Sequence, residues 1–143
     1  MTVDDIDKSL VELLMKNARR SSGELAKELN VSAATVRRRI ERLLEEKVIR
    51  IVASLDAASL GFPVTAFIGF NVSRNRVNTV LKALGKLPQI RWIAATTGLF
   101  NIMALVWIES TGELFKFIER EIGSIDGITH SETFINLHIE KRG

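Results

Sequence analysis

The sequence predicts an α+β protein of two domains, and three observations predict it. Apolar residues recur at helical spacing in three separate segments before residue 45. A row of arginines sits on the last of these segments, directly after a capped turn. Beyond Pro63 the hydrophobic period switches repeatedly between that of a strand and that of a helix.

The first segment, from about Asp4 to Asn17, carries the stripe Ile6, Leu10, Leu13 and Leu14, with Asp4, Asp5 and Asp7 at its positive dipole end. In the second, Ser21 and Glu24 have the spacing of a capping box, and Leu25, Ala26 and Leu29 share one side. Asn30 ends it, because Asn tolerates the left-handed conformation used at helix C-termini. Ser32 is a good N-cap for the third helix, on which Val36, Ile40, Leu43 and Leu44 mark the buried face. Two helices separated by a turn at Asn30, Val31 and Ser32 form a helix-turn-helix, whose second helix is the reader.

Ala33, Ala34 and Thr35 are small, and four arginines and one glutamate occupy positions 37 to 42. Small residues permit close approach to a major groove, and arginines reach phosphates and guanine edges. Thr35, Arg37 and Arg38 are therefore candidates for base-edge contact, with Ala33 and Ala34 setting the approach and Ser32 opening the helix. Ser22, Arg39 and Arg42 are candidates for phosphates, Arg39 alternatively a structural residue at the domain's edge. A solvated face with Glu41, Glu45 and Glu46 as i+4 partners is the other reading of this arginine row; its place on the second helix of a capped pair favours double-stranded DNA.

After the third helix, Val48 to Leu55 is β-branched and partly alternating, which predicts a strand at one side of a wing. Gly61 and Pro63 punctuate the next stretch of chain. The expected division is 1–55 for a winged helix-turn-helix, 56–62 for a linker, and 63–143 for a second domain. In that domain Val64 to Val72 reads as a strand. Val77, Val80, Leu81 and Leu84 form a helical stripe, and Ile90 to Thr97 and Ile102 to Ile108 read as strands. Leu114, Phe117, Ile118 and Ile122 form a second stripe, and Thr129 to Ile139 alternates. The order βαββαβ is that of a ferredoxin-like αβ-sandwich, one antiparallel sheet with two helices on one face. Phe67, Phe70, Trp92, Met103, Trp107, Phe134 and Ile135 cannot all lie under two helices, so the second face is expected to pair with another copy about a two-fold axis.

Composition narrows the function classes. At 143 residues, with 46% hydrophobic residues and a formal charge of +3, the chain can build cores and accept a polyanion without demanding one. It has no cysteine, which excludes disulfides and thiol catalysis and fits a reducing cytoplasm. Its acidic, polar start has no signal-peptide pattern, and no apolar run has membrane-spanning length. His130 and His138 are expected on one strand face beside Glu132 and Glu140, without the ligand cluster a metal needs. No nucleophile–base pattern or phosphate-cradling loop is present, so neither an enzyme nor a cofactor is expected.

Three stretches resemble the Lrp/AsnC, or feast/famine, regulator family. They are Asp7 and Leu10-Val11-Glu12-Leu13-Leu14 with Ala18, Arg19, Ser22, Glu24, Leu25 and Ala26; Leu29, Val31, Ser32, Val36, Arg39, Ile40, Arg42 and Leu43 with Val48 and Ile49; and Thr97-Gly98-Leu99-Phe100-Asn101 followed by Gly127, Ile128, Ser131, Thr133, Ile135 and Leu137. The resemblance implies a DNA-binding winged helix-turn-helix and a C-terminal αβ-sandwich that binds small molecules and assembles dimers into tetramers or octamers. It implies an amino-acid effector bound between dimers, near Thr97, Gly98, Leu99, Phe100 and Asn101, with Ser131 and Thr133 from the last strand. The family's loop usually carries Asp where this chain has Asn101. A neutral residue there holds an ammonium less well, so the effector is expected to be another metabolite, absent, or held by backbone groups. The alternative on the same scaffold is an enzyme or metabolite-binding module like the sirohaem decarboxylases, and the exposed arginines argue against it.

Overall fold

A computed structural model describes residues 2–140. The chain divides between Ser54 and Leu55 into two compact units. The first contains helices α1 (Asp5–Lys16), α2 (Ser22–Leu29) and α3 (Ala33–Glu45). Asp4 and Asp7 form a reciprocal capping box at the start of α1, and Ser21 and Glu24 form another at α2. Asn30 closes α2 in the left-handed conformation (φ 54°, ψ 46°), and Ser32 caps α3 by accepting from the Thr35 N–H. Each turn signal read from the sequence thus acts where it stands. The core joins Leu10, Leu13 and Leu14 of α1 to Leu25 and Ala26 of α2 and to Val36 and Leu43 of α3. Leu44, placed on that face by the stripe, is 38% exposed, at the rim.

The strand expected over 48–55 does not form. Val48, Ile51, Val52 and Leu55 are exposed, and the segment has no neighbouring strand among the described residues. β-propensity reports how well a side chain packs on a pleated surface, and without a partner strand it yields no ladder. The helix-turn-helix therefore has no strand in its wing position. Residues 56–62, expected as a linker, are folded into the second unit. Ala57 is buried, a 3₁₀ turn spans Ala58–Leu60, and the Phe62 N–H donates to the Ala57 carbonyl.

The second unit has β1 (Val64–Val72), α4 (Val77–Leu84), β2 (Ile90–Ala95), β3 (Ile102–Ile108), α5 (Thr111–Lys116) and β4 (Ile128–Ile135). Its four antiparallel strands lie in the order β2-β3-β1-β4, the ferredoxin-like arrangement. α5 runs on into a π-helical stretch, Phe117–Ile122. Ala66, Ile68, Phe70 and Val72 face the helices with Ile102, Ala104, Val106 and Ile108, and all are buried.

The opposite face carries Phe67, Trp92 and Phe134, between 37% and 49% exposed, with Met103, Leu105 and Trp107 half-buried between them. Of the seven residues that could not all lie under two helices, Phe70 and Ile135 are the two on the helix side. Phe70 is wholly buried, and Ile135 pairs with Ala66, so it shares that residue's face near the sheet's end. β4 ends at Ile135 rather than Ile139. β1 begins at Val64, and Asn136 makes the last contacts with Thr65, so no strand remains for later residues to pair with. His138 accordingly lies beyond the strand that carries His130.

Gly69 sits on the open face beneath the Phe100 ring, and a Cβ there would lie 2.4 Å from a ring carbon. Overpacking of this kind costs about 1–3 kcal/mol. Gly69→Ala is expected to lower stability in urea by about that much, and Phe100→Ala in the same chain should recover part of the loss. Additive losses would show that the ring does not occupy this site.

Candidate DNA-reading surface and effector loop

The reader helix is fixed by a buried carboxylate. Asp7 lies on the apolar face of α1, in step with Leu10 and Leu14, and is 0% exposed. Its Oδ1 accepts from Arg39 Nη1 at 2.7 Å, the same nitrogen reaches Asp4 Oδ2 at 2.7 Å, and Arg42 Nη2 binds Asp7 Oδ2. The Asp4 N–H completes the shell at 3.2 Å. Burial by itself would raise the Asp7 pKa. The Arg39 hydrogen bond, the Asp4 N–H and the two guanidinium charges outweigh it and hold the carboxyl below its ordinary value. The same contacts raise Arg39 above the usual arginine value.

These pairs sort the four arginines of α3. Arg39 is 18% exposed and committed to two carboxylates, so its side chain is structural, the second of the two roles open to it from sequence. Arg42, read as a phosphate contact, is engaged by Asp7 and keeps 41% exposure. Arg37 and Arg38 are exposed and make no ion pair among the described residues. A helix of 3.6 residues per turn sets Arg38 roughly opposite the buried Val36. Ala33 and Thr35 are half-buried and Ala34 is exposed in the first turn, where the Thr35 hydroxyl also meets that of Ser32 at 2.8 Å. Ser22 is the first residue of α2 and half-buried. Glu41, Glu45 and Glu46 make no ion pairs among the described residues; the partners come from α1 instead. The sequence signal for this arrangement is Asp7 itself, an acid on a buried stripe, which requires cations from elsewhere in the core.

The β2–β3 loop holds the second set. Thr97, Gly98 and Leu99 are exposed at its tip, with Gly98 at φ +108° where an L side chain is strained. The Thr96 N–H donates to the Asn101 carbonyl and its hydroxyl to that of Phe100. The Asn101 side chain is not turned out to a ligand. Its Oδ1 accepts from the Val72 N–H at 2.8 Å and its Nδ2 donates to the Val72 carbonyl at 2.7 Å, so the carboxamide extends the β1–β3 pairing beyond Phe70 and Ile102.

Phe100 stands edge-on to Phe134, 6.2 Å between centroids, on the open face. Ser131 and Thr133 pair with Phe70 and Ile68 and so face the helix side of the edge strand. Within one chain the sheet therefore separates Phe100 from Ser131 and Thr133. No group of three or more metal-ligating side chains occurs among the described residues, and no helix among them is long and apolar enough to cross a membrane.

The architecture is that of a two-part regulator, a DNA-binding helix-turn-helix followed by a small-molecule-binding αβ-sandwich. Residues 3–44 match the AsnC-type helix-turn-helix domain and residues 65–143 the Lrp/AsnC ligand binding domain. An uncharacterised HTH-type transcriptional regulator of Pyrococcus abyssi is 34% identical over 99% of this chain and 90% of its own. The HTH-type transcriptional regulator FL11 of Pyrococcus furiosus is 31% identical over 97% and 92%. The structure of AsnC from E. coli superposes with a TM-score of 0.90 at 30% identity, covering 100% of this chain and 97% of the other. The chain belongs to the Lrp/AsnC family of transcriptional regulators.

Asp7→Asn removes the buried charge to which the Arg39 and Arg42 guanidinium groups are paired, and is expected to destabilise the first unit by on the order of 3 kcal/mol. Because the folded-state pKa is lowered, the wild-type contribution is complete above the unfolded value of about 4 and is lost as pH falls through the folded one. Thermal melts should therefore separate the two proteins at pH 7 and converge in acid; separation that persists in acid would contradict the ion-pair account. Asn101→Asp replaces the donor to the Val72 carbonyl with a second acceptor and should cost about 1–3 kcal/mol in urea unfolding.

Proposed function

We propose that this regulator reads DNA through Thr35, Arg37 and Arg38 on α3, as a homodimer or higher assembly, and that a small polar effector of the amino-acid class modulates it from the β2–β3 loop. The observation that carries the DNA reading is the division of the arginines. Two are tied to Asp7 and hold the helix, while Arg37 and Arg38 remain exposed beyond the small residues of its first turn. Arg42, with one side of its guanidinium engaged, is placed to reach a neighbouring phosphate.

Support for assembly comes from the open sheet face, where large apolar residues are half-exposed. Support for an effector site shared between chains comes from the sheet itself. Phe100 lies on one face and Ser131 and Thr133 on the other, so a single site containing all three takes them from more than one protomer. Asn101 then acts by fixing the loop, and recognition falls to exposed backbone and to the Thr97, Ser131 and Thr133 hydroxyls. A cytoplasmic setting fits a regulator of this kind.

The test is a binding titration on DNA upstream of the protein's own gene, at two salt concentrations, with and without a pool of amino acids. Arg38→Ala should cost about 1–3 kcal/mol on the specific site and relax preference at one position. Arg42→Ala should weaken all sequences alike and lower the salt slope by about one. If Arg38→Ala leaves both affinity and preference unchanged, α3 is not the reader. If the amino-acid pool leaves binding unchanged, the effector reading falls and the DNA reading stands.

A further inference from the structure

The open face of the sheet carries a nearly symmetric row. Strand pairing sets Trp92, Leu105, Phe67 and Phe134 side by side across β2, β3, β1 and β4. The row has an aromatic ring at each edge and large apolar residues between. A two-fold axis running along the strands, between β3 and β1, sets Trp92 over the second copy's Phe134 and Leu105 over the second copy's Phe67. Large residues then meet large residues between two aligned sheets about 10 Å apart.

The same axis relates the two corners at one end of the sheet. β4 lies at one edge and β2 at the other, and β4 finishes at the end where β2 begins. The axis therefore carries the chain leaving β4 in one copy onto the start of β2 in the second. That departing chain is apolar and uncovered. The Asn136 N–H makes a last bond to the Thr65 carbonyl. Leu137 is then 96% exposed, the highest value for a large apolar residue among those described, and Ile139 is exposed after it. His138 and Glu140 alternate with them, as in a strand without a partner.

At the start of β2 lies a groove of about 470 Å³. Its apolar wall is Trp107, with Phe62 6.4 Å away. Arg91, Arg120, Glu109 and Glu121 line it and form no ion pair among the described residues. Gln89, on the same lining, has a buried Oε1 without a hydrogen-bond partner, an acceptor that needs a donor. An extended peptide segment meets all three conditions, because it brings an apolar side chain, charged neighbours and free backbone N–H groups.

We propose that in the homodimer residues 137–140 of each copy lie in this groove of the other, with Leu137 against the second copy's Trp107 and Phe62 and Glu140 beside the second copy's Arg91 and Arg120. The exposed leucine and the unmet Gln89 acceptor are then covered by one contact. An axis across the strands would instead set β2 over β2 and leave both in water. The proposal rests on the homodimer proposed above and goes beyond it, since each half of the pair is completed by a segment of the other.

The chain has no cysteine, so single cysteines can report the contact. Full-length Leu137→Cys carrying an affinity tag is refolded from urea together with untagged Glu109→Cys, and the mixture is treated with a short bismaleimide. The expected product is a band of mixed size on a denaturing gel. Lys82→Cys, at an exposed position of α4 on the far side of the sheet, is the control partner and should give little of it. Leu137→Asp should weaken the dimer in sedimentation equilibrium by about tenfold, as loss of one apolar contact of this size implies. Dimers of the cysteine variants that give no mixed-size product overturn the proposal and leave the homodimer standing. So does equal product from Glu109→Cys and Lys82→Cys, which would mean random encounter, and so does a dimer constant unchanged by Leu137→Asp. A chain that sediments as a monomer at every concentration overturns the homodimer reading and this one together.

Discussion

The first unit is organised around one buried carboxylate. Removing Asp7 from water is unfavourable, and it is tolerated because two guanidinium groups and a backbone N–H meet it in the core. Those contacts tie the N-terminus of α1 to the middle of α3. Hydrophobic packing of Leu10, Val36 and Leu43 brings the helices together without fixing their rotation, since apolar contact has little direction. The directional bonds from Asp7 fix which side of α3 faces inward. The outward side, and with it the position of Arg38, is set by that choice.

The second unit uses directionality differently. Its core is an ordinary layer of β-branched and aromatic residues under two helices, and the polar detail is confined to the sheet's ends. At one end the Asn101 carboxamide stands in for a strand partner and stiffens the β2–β3 loop. At the other, a bulge and a π-turn open the sheet's rim. Regular pairing fills the middle of the sheet, and the irregular backbone lies at its ends.

Much of this was legible in the sequence. Ser21, Ser32 and Asn30 carry their instructions locally, because a cap or a left-handed residue depends on neighbours three or four positions away. The period changes after Pro63 marked all four strands and both helices, since one-sided burial writes itself into the spacing of Val, Ile and Leu. The parts that were not legible depend on partners distant in sequence. Val48 to Leu55 has strand composition, but a strand exists only where another strand lies beside it. The ion pairs of Arg39 and Arg42 were not legible because Asp7 is more than thirty positions away. Asn101 looked like a weakened ligand contact because its real partner, Val72, is joined to it only by the fold. The π-turn leaves no mark on the stripe of Leu114, Phe117, Ile118 and Ile122, whose spacing suits an α-helix equally well.

The open face of the sheet has a consequence for handling the protein as well as for its assembly. Phe67, Trp92 and Phe134 lie close together on a surface without charge at its centre, where water gains by their removal. A second copy covering that face would be held there by mass action, so the area of wet aromatic surface would grow as the protein is diluted. Loss on dilution, by adsorption or by disordered association, is then a property of the same residues that form the layer. A charge placed at Phe134 would trade that stickiness for a permanently uncovered sheet.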